Sequence, residues 1–163
     1  MMAFVALGSN LGNSREILLR AMDRLEQFSS APLLRSSLWE TEPIDCPPGA
    51  APFINAMVGA IPLSDETPES LLQKLKALEV EFGRAPKKIL NEPRPLDLDL
   101  IAFGDETRKS PSLILPHPRA HERRFVLAPW AEIAPEYAMP TQRLSVRELL
   151  TQLGSKQAAR RLV

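Results

Sequence analysis

Strand, helix, strand, strand, helix and strand succeed one another over residues 3–103, and this order predicts an α+β fold. It is the ferredoxin-like βαββαβ pattern, an antiparallel sheet with helices, here followed by a C-terminal helical extension. Three observations carry the expectation. The apolar run Phe4-Val5-Ala6-Leu7 leads into a stripe of helical period, two extended segments at 33–41 and 53–63 precede a second such stripe, and leucines alternate with aspartates from residue 96 onwards.

Each element has a local cause. The first strand is ended by Gly8-Ser9-Asn10 and Gly12, and Asn13 with Glu16 three residues later resembles a capping box. Leu18, Ala21, Met22, Leu25 and Phe28 then form one apolar stripe, stopped by Ser29-Ser30 and Pro32. The loop between the two extended segments, residues 42–52, is too rich in proline to pair. Thr67 as N-cap and Pro68 at the first helical position open a second helix, with Leu71, Leu75, Leu78 and Phe82 inward and Gly83 closing it. Both helices are expected on one sheet face. After a second long loop at 84–95 comes the aspartate strand, then a turn at Gly104-Asp105-Glu106 and a short strand at 112–115. Residues 123–134 read as a helix with Phe125, Leu127, Trp130 and Ile133 inward, and the stretch from Ser145 as one more. One domain over residues 1–163 is expected, with a core at 3–137 and a tail at 138–163.

Composition narrows the function classes. Twenty Lys and Arg balance twenty Asp and Glu, so no overall field draws the chain to nucleic acid or an acidic membrane, and anion binding must come from local arginines. A single cysteine, Cys46, excludes an intrachain disulfide, and two histidines exclude a histidine cage for a metal. The apolar start is too short for a signal segment, and no run approaches ~20 apolar residues. A cytoplasmic monomer is the expectation. An RNA-binding module of the same fold would need exposed aromatics and a basic surface, against one tyrosine and zero net charge here.

The chemistry concentrates in Pro93-Arg94-Pro95-Leu96-Asp97-Leu98-Asp99. Alternation puts Asp97 and Asp99 on one face of a strand, their backbones about 7 Å apart, where two like charges need a counter-charge. A divalent cation between carboxylates and phosphate oxygens suits phosphoryl transfer, and oxygen-only ligands favour magnesium. Polar-out patterning on an exposed strand is the plain alternative. Arg94, braced by two prolines, presents a stiff fork for phosphate, whereas Lys87 and Lys88 on the same loop read as solvated. His117 and His121 have the spacing of a zinc pair, but His117 stands between prolines and reads as a cap or a phosphate contact. Arg119 and Arg124 read as solvent-facing. Phe53 and Phe125 are core residues or ligand platforms. Asn55 shares the face of Phe53, and its amide could be satisfied by a flat heterocycle. Glu79 could pair with Lys76 or reach a nucleotide hydroxyl. The turn after the first strand lacks the spacing of a P-loop.

Taken together, Ala6-Leu7-Gly8-Ser9-Asn10-Leu11-Gly12, Phe53-Ile54-Asn55-Ala56, Glu79 with Gly83-Arg84, Pro93-Arg94 with Leu96-Asp97-Leu98-Asp99, and Pro116-His117 through Arg123-Arg124-Phe125 resemble the 6-hydroxymethyl-7,8-dihydropterin pyrophosphokinases of folate biosynthesis. The resemblance runs from residue 3 to about residue 137. It implies ATP as co-substrate, two magnesium ions, and transfer of a diphosphate to the pterin hydroxymethyl oxygen with AMP leaving. It implies that Asp97 and Asp99 ligate the metal and that Phe53 and Phe125 sandwich the pterin. Asn55 would bind the pterin edge, with Thr41, Pro43 and Ile44 completing that pocket. Arg84, Arg94, His117 and Arg123 would contact the triphosphate, Glu79 and Leu100 would lie nearer the nucleoside, and Arg84, Arg94, Asp97 and Asp99 would carry catalysis. Asp97 is the nearest candidate for a general base.

The chain departs from the family pattern where several members have Trp-Gly-Pro-Arg-Thr, since Asn91-Glu92-Pro93-Arg94-Pro95 lacks the aromatic lid. Pro86 and Ser112 replace residues that are basic in some members. These departures imply weaker closure over the nucleotide with the metal and pterin sites kept. A non-catalytic pterin sensor is the rival reading, opposed by retention of both aspartates and Arg94.

Overall fold

The computed structural model describes residues 1–42, 49, 51–84, 94–154 and 157–162. Its centre is β1 (Ala3–Ser9), a short apolar run buried on both faces and hydrogen-bonded on both edges. Antiparallel neighbours flank it, β4 (Phe53–Ala60) on one side and β5 (Asp97–Phe103) on the other. Beyond β4 lie β2 (Leu34–Arg35) and β3 (Trp39–Thr41), both antiparallel to it. The first extended segment is thus split in two. At the break Ser36 N donates to Met57 O at 2.9 Å while Ser36 Oγ accepts from Met57 N at 2.8 Å, so a side chain does the work of a ladder carbonyl. With β2 and β3 counted as one strand, the order β5-β1-β4-β3 is that of an antiparallel βαββαβ sheet.

The two crossover helices form as their caps and stripes dictate. In α1 (Ser14–Leu25) Asn13 Oδ1 accepts from Glu16 N at 3.3 Å, but the Glu16 carboxylate takes the Asn13 side-chain amide and not its backbone N–H, so the expected capping box is half made. In α2 (Pro68–Glu81) Thr67 and Ser70 cap each other reciprocally, and Gly83, at φ +97°, takes the left-handed conformation that ends the helix. Both helices pack on one sheet face, where Leu18, Met22, Leu71 and Leu75 meet Val5, Leu7, Val58 and Leu98.

The other face has its own cover. After the small hairpin of β6 (Arg108–Lys109) and β7 (Ile114–Leu115), α3 (Arg124–Ile133) and α4 (Val146–Leu153) close over Phe4, Met57 and Ile101, with Trp130 fully buried among them. The expected inward set of α3 is corrected at its start: Leu127 and Trp130 are buried, whereas Phe125 is only half-buried. The tail holds a strand as well as a helix. β8 (Ala159–Arg161) pairs antiparallel with β3 at the sheet edge, and its Ala-Arg-Arg sequence offers no alternation by which to find it. No helix among the described residues is long and apolar enough to cross a membrane.

Candidate active site

The second sheet face is not covered along its whole length. Near the C-terminal end of β1, a cleft of about 320 Å³ opens between the sheet and the start of α3. Its floor follows from register. Gly8 faces Asn55 on β4 and Asp97 on β5, and Ala6 faces Met57 and Asp99. Two small residues therefore separate an amide and an aromatic on one strand from a carboxylate pair on another. A Cβ on Gly8 would come within 3.3 Å of Asn55 Oδ1, so the gap is already as narrow as the packing allows.

On the β4 side, Phe53, Asn55 and Thr41 line the cleft, with Phe125 from α3. Asn55 and Thr41 are buried, at 5% and 7% exposure, and Asn55 Nδ2 donates to Thr41 Oγ1 at 2.7 Å. That bond orients the amide and leaves its oxygen and second N–H for a ligand edge. Pro43 and Ile44, the other expected pocket residues, lie outside the described residues, as do Lys87, Lys88 and Pro93.

On the β5 side, Leu98 and Leu100 point into the first core while Asp97 and Asp99 line the cleft, as the alternation predicts. Burial, then the charges of Asp97 and Glu79, push the Asp99 carboxyl up to about 7, opposed by Arg123 and Arg94. Arg84 Nη1 lies 2.5 Å from Asp97 Oδ1 and 3.0 Å from Glu79 Oε2. Burial works against that cation, but the hydrogen bond to Asp97 and the charges of Asp97, Glu79 and Asp99 outweigh it and raise its pKa. Glu79 differs from the expectation of a Lys76 pair: its Oε2 accepts from Leu98 N at 2.7 Å and from Arg84, and burial raises its pKa. It is a strut between α2 and the edge of β5. Leu100 is 3% exposed in the core, so a nucleotide contact at that position has only main chain to offer.

Arg94 spans the two sides. Its Nε is 3.9 Å from Asp97 Oδ2 and its guanidinium sits over the Phe53 ring, 5.3 Å from the centroid. Arg123 lines the opposite wall, over the Phe125 ring at 5.5 Å. Burial, then Arg119, lower its pKa, against the pull of Asp99 and Asp97. Arg119 is exposed at the rim, as expected, whereas Arg124 is half-buried, with its Nε shielded from water. His117 N donates to Ile101 O at 2.8 Å and its Nδ1 accepts from Arg119 N at 3.2 Å. The ring caps the turn before α3, and burial with Arg123 depresses its pKa to about 4, so it is neutral near pH 7. Several contributors to the cleft escape sequence reasoning, Glu42 and Glu122 among its lining residues. Asn10, read only as part of a turn, bonds the Arg94 main chain, and Gln157 comes from the tail.

The donor set suits a hard divalent cation. Asp97 and Asp99 offer only oxygens to one cleft, and Asp99 is held in a state that a positive charge would relieve. Among the described residues no group of three or more His, Cys, Asp or Glu side chains could hold a metal, and Asp97 and Asp99 are the pair that β5 presents to the cleft.

Comparison with known proteins assigns the lineage. Residues 4–135 match the family model described as 7,8-dihydro-6-hydroxymethylpterin-pyrophosphokinase. The chain belongs to this family. Its members are pyrophosphokinases. The 2-amino-4-hydroxy-6-hydroxymethyldihydropteridine pyrophosphokinase of Bacillus subtilis is 38% identical over 132 residues, covering 80% of this chain and 77% of that protein. The enzyme of the same name from Haemophilus influenzae is 34% identical over 153 residues, covering 93% and 92%. The folic acid synthesis protein fol1 of Pneumocystis carinii is 37% identical over 143 residues, but the chain spans 19% of its length. The folate synthesis bifunctional protein of Arabidopsis thaliana is likewise matched over only 26% of its length. Among solved structures, wild-type HPPK-DHPS of Plasmodium falciparum with pteroate superposes with a TM-score of 0.72 over 95% of this chain and 42% of that one, at 16% identity, which speaks to the fold.

Proposed function

We propose that this chain, acting as a single domain and a monomer, transfers the β,γ-diphosphate of ATP to the hydroxymethyl oxygen of 6-hydroxymethyl-7,8-dihydropterin and releases AMP. The observation that carries the reading is the floor of the cleft. Gly8 and Ala6 bring a pocket lined by Phe53, Phe125 and the Asn55 amide into one space with a carboxylate pair, and Arg94 bridges them.

Phe53 and Phe125 would hold the pterin ring between them, and Asn55, oriented by Thr41, would bond its edge. Asp97 and Asp99 would hold two magnesium ions, which when bound neutralise the triphosphate and fix its orientation. Arg94 and Arg123 would grip phosphate oxygens from opposite walls, so that charge moving toward the leaving phosphate meets fixed cations. Arg84 would first keep Asp97 in place, and reach phosphate only by leaving that carboxylate. Neutral His117 would contribute through the turn that it caps and by donating from its free nitrogen. Catalysis on this reading is positioning and electrostatics, with Asp97 the nearest acceptor for the hydroxyl proton.

The deciding experiment incubates the chain with ATP, magnesium and 6-hydroxymethyl-7,8-dihydropterin and separates the products. AMP in equal amount to pterin diphosphate is expected. ADP with a pterin monophosphate would falsify the reading, and pterin binding without any product would favour the sensor.

A further inference from the structure

The tail supplies a side chain to the cleft from beyond the stretch that matches the family model, residues 4–135. Gln157 uses its amide in both directions: Oε1 accepts from Arg124 N at 2.8 Å and Nε2 donates to Glu122 O at 2.9 Å. These two main-chain groups flank Arg123. The pattern is the one that a neighbouring strand would offer to a residue between them, made here by a single side chain. It also answers a local need. Arg123 is the N-cap of α3 and makes no side-chain capping bond, so the Arg124 N–H would otherwise be one of the unpaired donors at the helix start.

Gln157 is itself anchored. Two residues on, β8 is hydrogen-bonded to β3, Leu162 N donates to Leu38 O at 2.7 Å, and Arg160 pairs with Glu40 at 2.9 Å. A path of hydrogen bonds therefore runs from the sheet edge through the tail to the main chain that presents Arg123 toward the carboxylate pair. A cap for α3 alone would need only the acceptor oxygen. The second bond, to Glu122 O, fixes the other side of Arg123 and adds nothing to the helix.

We propose that Gln157 is a positioning residue of the reaction, clamping residues 122–124 so that the Arg123 guanidinium is held in the cleft opposite Asp99. The inference rests on the reading of Arg123 as a phosphate contact under Proposed function. Displacement of one such group by a fraction of an ångström costs turnover far more than it costs folding, by up to ~100-fold for a shift of about 1 Å.

The test uses the full chain with Gln157→Met, which keeps the volume and loses both bonds, and Gln157→Glu, which keeps an acceptor for Arg124 N. Gln157→Met is expected to lower kcat about tenfold with the pterin KM within about twofold, and Gln157→Glu to recover part of that loss and to stand in should the methionine variant fold poorly. In an Arg123→Ala background Gln157→Met should cost nothing further. An undiminished tenfold loss in that background overturns the proposal, as does a lowered Tm with unchanged kcat. Amide exchange over residues 122–126 separates the two layers of the argument. Unchanged protection in Gln157→Met refutes the clamp and leaves the role of Arg123 standing. Full turnover in Arg123→Ala refutes the phosphate contact itself, and the positioning role with it.

Discussion

Asn10 and Arg94 hold each other in both directions: Asn10 N donates to Arg94 O at 3.1 Å, and Asn10 Oδ1 accepts from Arg94 N at 3.0 Å. Asn10 is 5% exposed, and its Nδ2 also donates to Ala51 O at 3.4 Å. The turn after β1 is thereby tied to both loops that border the cleft. Its sequence, Gly-Ser-Asn-Leu-Gly, is legible as a turn, but its partners are not, because they lie 41 and 84 residues away.

Asn10→Ala should therefore cost more than a turn residue would. It leaves the Arg94 N–H without its acceptor, a loss of about 1–3 kcal/mol where the group is buried, and frees the main chain that aims the guanidinium. Turnover is expected to fall at least tenfold while pterin affinity stays within twofold, and Asn10→Asp, which keeps the acceptor, should fall less. Steady-state kinetics beside thermal melts decide it. Equal kcat in parent and Asn10→Ala would show that turnover does not depend on the Asn10 anchor of Arg94.

The pterin side is tested at the floor and at the orienting bond. Gly8→Ala places a methyl group 3.3 Å from Asn55 Oδ1, tighter than ordinary contact, so the amide must give way. Thr41→Val removes the acceptor at 2.7 Å that fixes the Asn55 amide. Each should weaken pterin binding about tenfold, near 1.4 kcal/mol, in calorimetry without nucleotide or metal. Phe125→Ala should weaken it at least as much, through loss of a stacking face. If all three bind the pterin as the parent does, the pocket lies elsewhere.

Much of this site was legible because it is local. The Leu-Asp alternation alone sets Asp97 and Asp99 on one face, and a buried Asn two residues from Phe53 must share its side of β4. The sheet order follows from the element order. What pattern could not reach is pairing across the chain. Glu79 reads from the sequence as a partner for Lys76 or for a nucleotide hydroxyl, yet its carboxylate takes the Leu98 N–H at the sheet edge, because an unpaired edge donor is costlier to leave than an exposed lysine. Phe125 has the spacing of a core residue and becomes a cleft wall because α3 starts at the border of the covered face. β8 has three residues, two of them arginine, and takes its strand form from the exposed edge of β3.

Arg84 and Glu79 offer a cleaner separation of scaffold from chemistry. Glu79→Gln keeps an acceptor for Leu98 N but removes the charge that shares Arg84 with Asp97. Arg84 should then pair with Asp97 alone, and the melting temperature should move little. Asp97→Ala should abolish turnover by several orders of magnitude with the fold intact, because the chain loses one of its two cation ligands on the proposed reading. Near-normal turnover in Asp97→Ala would remove the carboxylates from the mechanism.

The Asp99 carboxyl makes the charge argument measurable without any substrate. Its pKa, 3.8 in an ordinary setting, stands at about 7 in the fold because burial and the charges of Asp97 and Glu79 disfavour ionisation. A carboxyl raised in this way binds its proton more tightly folded than unfolded. Its stabilising contribution is then complete below the ordinary value and is lost as pH climbs through about 7. In the presence of a chelator, Asp99→Asn should therefore melt higher than the parent at pH 8, with the gap closing as pH falls toward 4. Magnesium with nucleotide reverses the logic. Ligation needs the ionised carboxylate, so binding below pH 7 should release protons in the parent and fewer in Asp99→Asn, seen as a buffer-dependent heat in calorimetry. Superimposable melting profiles for the two proteins from pH 4 to 8 would mean that Asp99 ionises without hindrance, and the need for a counter-charge at this strand would be gone.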